Sequence, residues 1–83
     1  MDDAFLEKIT FTVLENLENE QFSVEELSEQ VGISRSHLHR KLKLLKGKSV
    51  SQFIREVRLE EAMKLLRQNV ATTSEIAYRV GFN

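Results

Sequence analysis

The chain has 83 residues, no Cys, no Pro, a net charge of −1 and a pI near 6.1. That length supports one small domain with a thin core, and without Cys neither a disulfide framework nor a thiolate metal site can form, which fits a reducing cytoplasm. No apolar run approaches the roughly 18 residues of a membrane span, and Met1-Asp2-Asp3-Ala4 lacks the basic start of a secretory signal, so a cytoplasmic chain without membrane contact is expected.

Five helices and no strand are predicted, an all-α chain. The first runs from about Asp3 to Glu18 within an acidic leading segment 1–21, because Phe5, Leu6, Ile9, Val13, Leu14 and Leu17 recur at helical spacing. The second covers Val24 to Val31. Ser23 and Glu26 have the spacing of a capping box, and Phe22 is placed to staple to Leu27. The third covers Arg35 to Lys46, capped by Ser34, with Ile33 placed against Leu38 and Gly47 at its end. The fourth starts after Ser49, whose box partner is Gln52, and runs to about Arg67. The fifth starts after Thr72, boxed by Glu75, and ends at Gly81.

The chain also repeats itself. Residues Ser23 to Ile33 are echoed 49 positions later by Thr72 to Phe82: a hydroxyl, a Glu three residues on, an aliphatic residue, then Val-Gly and a large apolar residue. Short helices begin and end this way, and one such helix followed by a second makes a helix-turn-helix reader of DNA. After the first copy the second helix is present and basic. After the second copy the sequence reaches Asn83, where the next N-cap would fall. The expected organisation is one helix-turn-helix over 22–48, a linker helix over 49–68 and the first half of another helix-turn-helix over 72–83. The linker helix fits: Val50, Phe53, Ile54 and Val57 share one face, and Leu59, Ala62, Met63 and Leu66 share roughly the opposite face. A rod between two lobes has this pattern, and so does a central helix buried on both sides of one bundle.

A pI near 6.1 is low for a nucleic-acid binder, for which about 9 or more is usual, but the charges are segregated. Residues 1–34 carry nine acids against Lys8, whereas residues 35–83 carry eleven Lys/Arg against four acids. Between Arg35 and Lys48 there are six Lys/Arg, two His and no carboxylate. Salt screens beyond about 8–10 Å, so one face can attract phosphate while the opposite end repels it.

Within the third helix, Leu38, Leu42 and Leu45 recur at i, i+4 and i+7 and are expected to face inward. Ser36, His39, Arg40 and Lys43 then lie in a row on the outer face, the face able to enter a major groove. Arg40 suits a bidentate contact to guanine, His39 and Ser36 suit hydrogen bonds to base edges, and Lys43 can reach base or backbone. Arg35, Lys41, Lys46 and Lys48 suit phosphate contacts, and the helix start at Ser49 offers a further phosphate site.

These residues bring a family into view. The chain resembles the C-terminal DNA-binding domain of AraC-type bacterial transcription regulators over Phe22 to Asn83. The resemblance rests on Ile33-Ser34, Leu38-x-Arg40-x-Leu42-Lys43, Gly47-x-Ser49-x-x-x-Phe53-Ile54, Arg58-Leu59-x-x-Ala62-x-x-Leu65-Leu66 and Ile76-Ala77-Tyr78-Arg79-Val80-Gly81-Phe82. It implies two helix-turn-helix lobes joined by a long helix, with base contacts from the positions of Ser36, His39 and Arg40. The acidic leading helix looks like the lead-in to such domains in hybrid two-component regulators, which implies an output domain acting on promoter or operator DNA. RNA polymerase and a second copy of the parent protein are the further partners expected. The family usually has Phe at Leu42. Its second recognition helix and tail lie beyond the given sequence, so weakened DNA binding by these 83 residues is expected.

An enzyme is not expected. His37 and His39 point about 200° apart around a helix and cannot grip one metal ion from the same face. No Gly-rich phosphate loop, HExxH motif or nucleophile with a paired base is present, so neither cofactor nor metal is expected. The rival class is a helical protein-interaction module, which has no need for caps, glycines and apolar residues repeating at an offset of 49.

Overall fold

The computed structural model describes residues 2–82, and these form five helices and no strand: α1 Asp2–Glu15, α2 Val24–Val31, α3 Arg35–Lys46, α4 Val50–Gln68 and α5 Thr73–Arg79. The N-cap position expected at Asn83 lies outside the described residues. Hydroxyl oxygens start four of the helices. Ser23, Ser34, Ser49 and Thr72 accept from the N–H of Glu26, His37, Gln52 and Glu75 respectively. Gln52 and Glu75 reach back to the N–H of Ser49 and Thr72, completing two capping boxes. The box expected at Ser23 is only half made, because Glu26 instead accepts from Asn19 Nδ2 at 3.4 Å.

The leading helix is shorter than its apolar spacing suggests. It ends at Glu15 and not Glu18, so the segment 1–21 is a helix followed by a turn. Asn16 stops it: its N–H closes onto the Val13 carbonyl at 3.0 Å while its side-chain amide takes the Thr12 carbonyl at 2.7 Å. Asn19 continues the turn, donating its N–H to Asn16 O and accepting at Oδ1 from the N–H of Gln21. The inward face of α1 is correspondingly narrow. Ile9, Thr12 and Val13 are buried, Leu17 is half-buried, and Leu14, expected inside, is exposed.

One cluster gathers Ile9, Val13, Phe22, Leu27, Val31, Leu38, Leu42, Val50, Phe53, Ile54 and Val57, with Phe5, Leu6, Val24 and Ile33 packed against it. It fixes α2 and α3 relative to each other over the N-terminal half of α4. The second stripe of α4 is different: Leu59, Met63 and Leu66 are exposed and Ala62 is half-buried.

The repeated segments fold alike. Leu27 and Ile76 are buried, as are Val31 and Val80, and Ile33 and Phe82 are half-buried. Gly32 and Gly81 take φ of +75° and +86°. In each copy the next N–H reaches back five residues, Ile33 to Ser28 O at 3.2 Å and Phe82 to Ala77 O at 2.8 Å, the closure that a left-handed glycine permits.

Arg58 joins the second copy to the rest. Its Nη1 donates to the carbonyls of Leu17 and Val80, both at 2.6 Å, and its Nη2 donates to Asn19 O at 2.8 Å. The residue is buried, and that burial pushes its pKa down from the ordinary arginine value. No carboxylate is among these acceptors. The guanidinium instead faces backbone oxygens of the turn after α1 and the end of α5, where helix carbonyls carry partial negative charge. Gly81 makes room for it: a Cβ there would lie 1.8 Å from Arg58 Nη1 and 2.5 Å from Leu17 O.

Candidate nucleic-acid interface

Helix α3 is oriented by its apolar side. Leu38 and Leu42 are fully buried and Leu45 is half-buried, less than its spacing suggests. At about 100° per residue, Ser36, His39, Arg40 and Lys43 fall within roughly 100° of one another, opposite those leucines. All four are exposed. The structure therefore brings together, on one accessible face, the four residues expected to meet base edges. His37 is exposed beside them.

The flanking cations are differently placed. Arg35 pairs with Glu25 at 3.2 Å, and both side chains are exposed. Lys48 pairs with Glu56 in a partly buried contact. The Lys41 ammonium sits 4.5 Å from the centroid of the Phe5 ring, tying α1 to α3, and Lys41 is half-buried. Lys46 is exposed. Ser49 uses its hydroxyl as the N-cap of α4, and its N–H donates to Gln52 Oε1 at 3.1 Å. Among the described residues no carboxylate pairs with Arg40, Lys43 or Lys46; Lys43 donates to the Gly47 carbonyl at 3.5 Å. Exposed ion pairs are worth only about 0–1 kcal/mol, so Arg35 can exchange its partner for phosphate at little cost.

One residue of this face was not singled out by sequence reasoning. Leu44 is 86% exposed, although its neighbours Leu42 and Leu45 face the core side. The signal available was positional, since Leu44 follows Arg40 by four residues and Ser36 by eight.

Comparison with known proteins identifies the family of the chain. The helix-turn-helix domain family matches residues 27–83. The chain is 39% identical over 82 residues to a protein named histidine kinase P4 of Formosa agariphila, covering 99% of this chain and 6% of that one. It is 39% identical to an uncharacterized HTH-type transcriptional regulator in the cgkA 5′ region of Pseudoalteromonas carrageenovora, covering 92% of this chain and 49% of the other. It is also 39% identical to the HTH-type transcriptional activator RhaS of Escherichia coli, over 69% of this chain and 20% of the activator. The chain thus spans about half or less of the length of these relatives. No solved structure matches.

Proposed function

The chain belongs to the AraC-type helix-turn-helix family, a family of DNA-binding transcription regulators and not of enzymes, and we propose that α3 reads promoter or operator DNA from the major groove. The observation carrying this is the exposed row Ser36, His39, Arg40 and Lys43, backed by buried Leu38 and Leu42, in a stretch without carboxylates. Arg40 faces guanine, Ser36 and His39 face base edges, and Lys43 lies between base and backbone. Arg35, Lys41, Lys46 and Lys48, with the helix start at Ser49, set register through phosphates. The pairing of Arg35 and the Phe5 contact of Lys41 rank Lys46 ahead of those two as a phosphate ligand.

The reading extends to the parent protein. One relative is named a histidine kinase and another a transcriptional activator, which supports an output domain in a one- or two-component regulator working in the cytoplasm. RNA polymerase and a second parent molecule are its further partners. The structural echo of Ser23 to Ile33 in Thr72 to Phe82 supports a second reading unit that begins at α5, with α4 as the linker.

Fluorescence anisotropy with labelled duplex at low salt tests the core claim. The chain is expected to bind, and Arg40→Glu with Lys43→Glu to abolish binding while the helical circular dichroism is kept. Unchanged binding by that double variant would defeat the assignment to α3, and absence of binding by the wild type even at low salt would favour a helical interaction module.

A further inference from the structure

Leu44 is the most exposed large apolar side chain among the described residues. It lies on the helix that carries the basic row. Ser36, Arg40 and Leu44 are spaced four apart, so they form one ridge along the outer side of α3. Within α3 the residues three and four positions before Leu44 are Lys41 and Arg40, and Lys43 precedes it directly. Of its cationic neighbours, Arg40 and Lys43 are exposed and, among the described residues, meet no carboxylate, so this leucine stands in a basic surrounding. Its natural cover is a polyanion that also presents an isolated methyl group.

The major groove presents one such group, the 5-methyl of thymine. We infer that Leu44 is a specificity-determining residue that packs on a thymine methyl, an inference that rests on α3 entering the major groove. The four residues from Arg40 to Leu44 advance about 6 Å along the helix and a base step about 3.4 Å, so that thymine lies within about two base pairs of the base facing Arg40.

The test begins with enrichment of a random duplex library on the wild-type chain, followed by replacement of each thymine of the enriched site with deoxyuridine, which removes only the methyl. Wild-type binding is expected to weaken roughly fourfold at one or two positions, the effect of leaving one methyl unburied. Leu44→Ala, whose exposed side chain leaves the core untouched, is expected to bind thymine and uracil duplexes equally at those positions. Equal binding of both duplexes by the wild type, or an undiminished uracil effect in Leu44→Ala, overturns the role of Leu44. Those outcomes leave the DNA reading standing, since that reading fails separately if no duplex enriches or if Arg40→Glu binds as the wild type does.

Discussion

Arg58 shows how much one side chain can settle. Three carbonyls from two distant stretches of chain converge on it, and Gly81 leaves the space it needs. Replacing Arg58 with Leu strands those oxygens in a partly dry pocket. We expect a loss of about 2–4 kcal/mol in urea unfolding, because hydrogen bonds to a charged group are worth more than neutral ones. Gly81→Ala adds a Cβ at a φ of +86° and pushes on the same guanidinium, so its loss and that of Arg58→Leu should overlap. The double variant is expected to fall well short of the summed single effects, and full additivity would show that the two residues act independently. None of this was legible beforehand. Arg58 stood in the sequence as one letter of a motif, and its partners are backbone atoms 22 to 41 residues away.

At the level of elements, what was legible depended on how far the deciding atoms lie apart. The starts of α2 to α5 are set by a hydroxyl and an N–H three residues on, and the chain spells that out locally. The end of α1 is set by Asn16 folding back on Thr12, and the missing half of the Ser23 box by Asn19 drawing away Glu26. Apolar spacing records neither competition. The box at Thr72 also predicts an acid response for α5. The backbone hydrogen bond from Thr72, then its side-chain hydrogen bond and the nearby Arg79, hold the Glu75 carboxyl below its ordinary pKa. A lowered folded-state value means stabilisation that is present above the ordinary Glu value of about 4.3 and lost as pH falls through the lowered one. Backbone NMR of α5 should therefore show fraying of Thr73 to Arg79 in that acid window, before the α1–α4 core loosens. Glu75→Gln keeps an acceptor for Thr72 N–H and should flatten the response; an identical response would place its origin elsewhere.

For the molecule as a whole, net charge conceals the feature that matters. A chain of −1 carries nine of its thirteen acids ahead of residue 35 and eleven of its twelve Lys/Arg from Arg35 onward, and folding sets the basic row of α3 outward while α2 brings Glu25 alongside Arg35. The segregation was visible in the sequence, but the pairing was not, because Glu25 and Arg35 are ten residues apart and meet only through the turn between α2 and α3. That ion pair makes a measurable forecast. A cation that stays with its carboxylate when DNA binds releases no condensed counterion, whereas one that meets phosphate contributes about 0.9 to the log–log salt slope. Glu25→Gln frees Arg35 and is expected to tighten DNA binding at low salt and steepen the slope by up to about 0.9. Glu56→Gln should do the same through Lys48, by less if the partly buried ammonium stays in place. Arg40→Glu should move the slope the opposite way. Anisotropy titrations across a range of salt concentrations measure all three, and slopes that do not respond to any of these changes would mean that this face of α3 is not where phosphate is met.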